Sequence, residues 1–295
     1  MSYTPNRLLF VCTFALFAIS SCFTYADDFS FAIVSDPHVA VGKPEHNGRF
    51  AHTLERLQSL NPEFVIIPGD VLENWSEENA ALYQRMTEDY PLPIHIIPGN
   101  HDVGQKRTPD GKGTITSETV KRWNKVFGQD RFAFEYEDCL FIGINNVLLA
   151  SGLPEEKEQE AWFRGRLKEA VNARVFVFCH YPFFLRHPGE TEGGYWTVET
   201  PARAKWLQMF SDHGILAVWN GHLHRFNDAE WKGIAFITTP ATSFSCAADK
   251  GLTGFRIVRV TDDGWQHEFV DLRTKGAAPV FDLQPVGAGK EADDR

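Results

Sequence analysis

The sequence predicts an α/β fold in which two mixed sheets pack face to face with helices on their outer sides. Two observations predict it. In the first half, short β-branched and aromatic runs alternate with helical stretches, the pattern of an α/β core. In the second half, further strand-like runs follow one another with no helix between several of them, as antiparallel, meander-type strands do. Two packed sheets accommodate both sets.

The buried strands of the first set are expected at Phe29–Val34, Phe64–Ile67, Ile94–Ile97, Val175–Phe178 and Ile215–Trp219. Helices are expected at Gly48–Leu60, Ser76–Asp89, Ser117–Phe127, Pro154–Val171 and Pro201–His213. Ser117 is a candidate N-cap, and Pro154 and Pro201 suit the first turn, where a missing N–H costs nothing. The second set of strands comprises Arg131–Tyr136, Cys139–Asn145, Ile234–Thr239, Phe255–Val260 and Gln266–Leu272. Residues 284–295 are polar and Gly-rich and are expected to form a disordered tail, leaving 27–283 as a single domain.

At the N-terminus, Arg7 leads into an apolar run, Leu8 to Ile19, broken only by Thr13 and followed by small residues. This reads as an export signal over residues 1–26, because the run is shorter than the roughly 20 residues that span a bilayer core. Two cleavage readings stand side by side: a small-x-small site at Thr24-Tyr25-Ala26, and a lipobox-like Ile19-Ser20-Ser21-Cys22 that would place a lipid anchor on Cys22. Either way the chain is expected to be exported, periplasmic or secreted, with no transmembrane segment. Cys139, Cys179 and Cys246, an odd and sparse set without CxxC spacing, exclude a disulfide framework. Cys139 and Cys179 lie in apolar runs and read as buried small hydrophobes. The formal net charge of −10 argues against a nucleic-acid binder, which needs a positive surface.

Five segments share one layout, an apolar run followed at once by metal-competent polar residues. They are Ser35-Asp36-Pro37-His38, Pro68-Gly69-Asp70, Pro98-Gly99-Asn100-His101-Asp102, Cys179-His180 and Asn220-Gly221-His222-Leu223-His224. In an open α/β sheet, ligands gather beyond the carboxyl ends of strands, so these segments are expected to converge. Carboxylate, imidazole and amide oxygen suit first-row ions, and a bridging carboxylate can hold two of them roughly 3.5–4 Å apart. Alternation along an extended exit would point Asp36 and His38 the same way, and likewise His222 and His224. The other histidines, His46, His52, His95, His187, His213 and His267, lack this context and are expected in surface or core roles.

The order DxH, GD, GNHD, H, GHxH resembles the calcineurin-like metallophosphoesterase family over essentially the whole chain after the export signal. The Gly99–Phe132 stretch, the His180-Tyr181-Pro182-Phe183-Phe184-Leu185 run and Gly221-His222-Leu223-His224-Arg225 are similar to its branch of calcineurin-like phosphoesterase domain-containing protein 1. The resemblance implies a four-layer αββα sandwich, the metallophosphoesterase fold, and two divalent or trivalent ions (Mn, Fe or Zn). Asp36, His38 and His224 would hold one ion, Asn100, His180 and His222 the other, and Asp70 would bridge them. His101 would face the substrate as a catalytic residue, oriented by Asp102. The implied reaction is hydrolysis of a phosphate ester by in-line attack of a metal-bound hydroxide, on a phosphorylated small molecule or another phosphoester.

Arg225 could take a phosphate oxygen in bidentate fashion, and Arg186, Tyr195 and Trp196 are candidates for the pocket mouth. Purple acid phosphatases carry tyrosine three residues after the bridging aspartate, where this chain has Glu73. Cyclic-nucleotide phosphodiesterases commonly follow GNHD with a nearby arginine, where this chain has Val103 and Gly104. The favoured activity is therefore that of a phosphomonoesterase. The alternatives are a phosphodiesterase acting on nucleotides, glycerophosphodiesters or phospholipid headgroups, and a catalytically inactive metal-bearing binding protein.

Overall fold

The computed structural model describes residues 28–191, 193–246, 251–274 and 284–285. The export-signal region and residues 286–295 lie outside them. One sheet has the order β12-β11-β10-β1-β2-β3 and the other β4-β5-β6-β7-β9-β8, six strands each. The first contains β1 (Phe29–Ile33), β2 (Val65–Pro68), β3 (Ile94–Ile97), β10 (Gly254–Thr261), β11 (Gly264–Asp271) and β12 (Gln284–Pro285). The second contains β4 (Phe132–Tyr136), β5 (Cys139–Gly143), β6 (Arg174–Phe178), β7 (Ala217–Asn220), β8 (Asn227–Trp231) and β9 (Ile234–Thr238). Strands β1, β2 and β3 run parallel, as do β5, β6, β7 and β9, while β10–β11 and β4–β5 are antiparallel hairpins.

The central strands are apolar at almost every position because both faces are covered. Along β1, Phe29, Phe31 and Ile33 enter the layer between the sheets, whereas Ala32 faces the helix side. Along β6, Phe176 and Phe178 point to the inter-sheet layer and Val175 and Val177 away from it. The aromatic residues interlock there: Phe31 stacks on Phe64 at 5.4 Å and meets Phe141 edge-on at 5.2 Å. Burying each such ring stabilises the fold by about 1.5–3 kcal/mol. Outside lie helices α1 (Pro44–Leu60), α2 (Glu77–Thr87), α3 (Asn100–Val103), α4 (Ser117–Phe127), α5 (Pro154–Glu169) and α6 (Thr200–Asp212). None of the described helices is long and apolar enough to cross a membrane.

Several expectations change in detail. Helix α1 begins at Pro44, a turn before Gly48, with proline in its first turn and the Asn47 side chain bonded to Ala40 N and O. Thr116, not Ser117, caps α4: its backbone is extended and its hydroxyl accepts from Thr119 N, while Ser117 Oγ donates to Glu155. Strand β8 was not anticipated, because its alternating Asn-Asp-Ala-Glu-Trp suits a half-exposed sheet edge and carries no apolar run. Gln284 and Pro285, placed by the sequence in a disordered tail, instead pair with Gly264 and Trp265 of β11, whose outer side offers free main-chain groups. Cys139 and Cys179 are free and buried, as expected.

Candidate metal centre

The carboxyl ends of β1, β2, β3, β6 and β7 come together from both sheets, and each delivers one of the five polar segments. Beside a further cluster of His38, Glu73 and His101, two groups of ligand atoms form there, Asp36, His38, Asp70 and His224 in one and Asp70, His180 and His222 in the other, with the atoms of each group within 4.8 Å of one another. Asp70 belongs to both. Its Oδ2 lies 3.2 Å from His180 Nε2 and 3.6 Å from His38 Nε2. Asn100 joins the second group, with Oδ1 at 3.0 Å from His180 Nε2.

The convergence does not come from strand alternation. Asp36, His38, Asp70, His222 and His224 all have left-handed φ angles, between 47° and 66°, in a region non-glycine residues seldom occupy. Each side chain is therefore turned inward by a local kink, and such kinks gather where surrounding structure enforces them. His222 and His224 accordingly serve different groups. The glycines beside them permit close approach: a Cβ on Gly99 would collide with the Asp70 carboxylate, and one on Gly221 with Ser35 and Asp36.

Acceptors that cannot donate orient the histidines. His180 Nδ1 donates to Pro68 O at 3.0 Å, His224 Nδ1 to Phe244 O at 3.0 Å, and His222 Nε2 to Tyr195 O at 3.0 Å. His38 Nδ1 faces Glu73 Oε2 at 3.1 Å. A carbonyl or carboxylate on one ring nitrogen requires the proton there, which leaves the other nitrogen with a lone pair. For His38 and His224 those lone pairs meet, Nε2 to Nε2, at 3.2 Å. For His180 the lone pair meets the Asn100 amide oxygen. Lone pairs directed at one another beside two buried carboxylates are the arrangement a cation satisfies, so the donor set fits two metal ions.

Charge in the site follows from the same contacts. Burial would depress His180 and His224, but Asp70 beside the first and Asp36 beside the second raise them to about 9 and about 10. Burial and the neighbouring His180 charge push His222 down to about 3. Asp70 is held well below the usual carboxylate range, its burial outweighed by His180, His101 and His38. A cation and a proton compete for the same Nε2 lone pairs of these two rings, so metal binding would release those protons.

Asp102 has a different task from the expected one. Its buried carboxylate does not touch His101 but accepts from Gly99 N at 2.7 Å, Leu72 N at 2.9 Å and Val71 N at 3.1 Å, tying the loop after β3 to the loop after β2. Burial and the Asp70 charge push Asp102 up to about 7, against those three donors. His101 is oriented by Glu73, whose carbonyl accepts from its Nδ1, and its backbone N–H binds Asp70 Oδ1 at 2.9 Å. Tyr195 stands at the site, its ring 4.8 Å from that of His222. Arg225 is exposed and makes no hydrogen bond or ion pair among the described residues.

Three residues of the site were not singled out as members. Asn146 holds His180 in place, its Oδ1 accepting from His180 N and Tyr181 N and its Nδ2 donating to Tyr181 O. His46, assigned by default to surface or core, packs on Phe244 at 5.2 Å and approaches His38 O at 3.3 Å, because α1 starts early enough to carry it there. Glu73 is the third. Contact with His38, against partial burial, and with Lys43 brings its pKa down to about 2, so it presents a full charge to His38 Nδ1. Glu73→Gln is expected to weaken one of two metal equivalents by about 10- to 100-fold and spare the other, as read by metal titration. Equal weakening of both would show that Glu73 does not act through His38.

Comparison with known proteins agrees with this geometry. The family model described as calcineurin-like phosphoesterase matches residues 29–226. The chain is 28% identical over 240 residues to "Serine/threonine-protein phosphatase CPPED1" of Danio rerio, covering 75% of this chain and 74% of that protein. It is 24% identical over 233 residues to "Probable glycerophosphodiester phosphodiesterase GpdQ" of Arcobacter nitrofigilis, covering 73% and 79%. Among solved structures, the crystal structure of a dimetal phosphatase from Danio rerio superposes with a TM-score of 0.63 at 12% identity, covering 83% of this chain and 96% of that one, which supports the fold. The chain belongs to the calcineurin-like phosphoesterase family, in its CPPED1-like branch, and is a metal-dependent phosphoric ester hydrolase.

Proposed function

We propose that the enzyme is a phosphomonoesterase whose two ions are held by Asp36, His38 and His224 on one side and by Asn100, His180 and His222 on the other, with Asp70 between them. One observation carries the assignment: Pro68 O, Phe244 O and Tyr195 O each accept from one ring nitrogen of His180, His224 and His222, so that the other nitrogen is presented to the centre. When bound, two such ions supply Lewis acidity toward phosphate oxygens and an activated water. The residues of the chain do the rest. Asp102 and Asn146 hold the ligand loops in register, and His101, with Nδ1 engaged by Glu73, offers Nε2 to the substrate. In the balanced reaction, the water oxygen forms a new P–O bond, the ester P–O bond breaks, and the departing oxygen takes a proton. A diesterase is the second reading, favoured by the similarity to the Arcobacter protein. Metal analysis of the purified protein together with a panel of paired mono- and diesters tests both. Two equivalents of metal and a higher kcat/KM on monoesters are expected, and faster diester turnover would transfer the assignment.

The same reading includes export, supported by the Arg7-led apolar run from Leu8 to Ile19. Intact-mass spectrometry of protein from its native host is expected to show a chain starting after Ala26, or at a lipidated Cys22. A chain retaining Met1 on most molecules would remove both.

A further inference from the structure

The metal centre adjoins a cavity of about 840 Å³. That volume falls within the roughly 300–1,000 Å³ that encloses a small organic molecule. Tyr181 and Tyr195 belong to both places: they line the cavity, and their rings lie 4.3 Å and 4.8 Å from that of His222. The opposite wall is the loop from Gln105 to Thr114. It is braced by Thr108 N donating to Lys112 O and by Thr114 N donating to Gln105 O, and a Cβ on Gly113 would strike the backbone at Lys106. Lys106 and Glu199, both lining the cavity, pair with each other, and the Tyr181 hydroxyl meets Gln105 Oε1 at 3.2 Å. The walls are thus fixed before any ligand arrives.

Charge inside is already matched. Lys106 and Glu199 are buried and neutralise each other, and at the rim Lys112 pairs with Asp110 at 2.7 Å. Such a cavity suits an uncharged group, not a second anion. Beside it, Tyr195 and Trp196 are 47% and 50% exposed, their rings perpendicular and 4.9 Å apart. Exposed aromatic rings offer flat faces on which a flat ring of a ligand can stack.

We infer that the organic half of the substrate is a flat, uncharged aromatic group of about nucleoside size, seated in this cavity and against Tyr195 and Trp196 while the phosphate lies at the metals. The inference rests on the phosphomonoesterase reading. A phosphorylated protein segment, another source of a monoester, would bring an extended main chain whose N–H and C=O groups need partners to a cavity whose charged groups are already paired with each other.

The test uses the full, metal-loaded protein with adenosine 5′-monophosphate and ribose 5-phosphate, which share a primary alkoxide leaving group and differ in the base. A phosphoserine peptide is the third substrate. The expected result is a kcat/KM about 5- to 150-fold higher for the nucleotide, the range one stacked base contributes. That ratio should collapse toward unity in Trp196→Ala and in Tyr195→Ala. Because both substrates are measured on one preparation, partial misfolding of a variant cancels from the ratio. Equal kcat/KM for the two small molecules, an unchanged ratio in both variants, or faster turnover of the peptide would overturn the inference and leave the phosphomonoesterase reading standing. No turnover of any of the three by protein holding two metal equivalents would overturn that reading as well.

Discussion

Asp70→Ala is expected to lose both metal ions and to reduce hydrolysis to background. The residue is the only one common to the two ligand groups, with Oδ2 within 3.6 Å of a histidine nitrogen on each side. Removing it leaves Asp36 as the sole carboxylate among the proposed ligands, facing two cations of at least +2 each. It also frees His101 N, which Asp70 Oδ1 accepts, so the loop carrying the candidate catalytic histidine loosens at the same time. Thermal stability gives a readout independent of turnover. A ligand that binds only the folded state at 100 times its Kd stabilises it by about 2.7 kcal/mol, so added metal should raise the Tm of the wild type and leave the variant's nearly unchanged. Asp70→Asn separates charge from shape: it keeps the volume and an acceptor toward His101 N but removes the charge, and should bind metal weakly without collapse of the site. Two equivalents of metal on purified Asp70→Ala would refute the bridging position.

The ligands themselves were legible because covered strands leave a strong mark. A strand buried on both faces is mostly apolar, so the point at which polarity returns, Ser35-Asp36 after β1 or His180 after β6, marks the carboxyl end where a site forms. What turns those residues inward was not legible. The alternation expected for Asp36 and His38 is absent, since left-handed φ values of 49° and 47° do the work, and no residue type there announces them. The contacts that orient the histidines were also hidden, because Pro68 O, Phe244 O and Tyr195 O are main-chain atoms that any side chain would supply. Asp102 shows the converse error. The family resemblance implied that it orients His101, whereas a side chain in the first turn of α3 reaches back to Gly99 N and across to the backbone after Asp70. Glu73 had a usable signal, three residues after Asp70. Asn146 had one in the polar pair that ends the apolar β5 run.

His101→Ala is expected to keep close to two metal equivalents and to lose about 10² to 10⁴ in turnover, the usual contribution of a positioned proton donor or acceptor. The metal content should hold because the three histidine nitrogens nearest Asp70 Oδ2 and Asp36 Oδ1 belong to His38, His180 and His224, not to His101. Turnover should fall because the ring is built to act: its Nδ1 is engaged by the Glu73 carbonyl, it packs edge-on to His38 at 4.6 Å, and it remains only half-buried. The remaining nitrogen, Nε2, can deliver a proton to the departing oxygen or stabilise charge on the phosphoryl oxygens. The two roles separate by leaving group. A nitrophenolate leaves readily without protonation, whereas an alkyl alkoxide does not, so a proton donor predicts a larger defect on alkyl phosphates. Charge stabilisation predicts a similar defect on both. The Glu73 contact adds a second discriminator, since it is made by a carbonyl: Glu73→Gln alters the charge beside His38 but leaves the atom that holds His101. That variant should therefore weaken metal binding without reproducing the leaving-group dependence of His101→Ala. Wild-type turnover by His101→Ala on both substrate types would take His101 out of the reaction and leave protonation of the leaving oxygen to solvent.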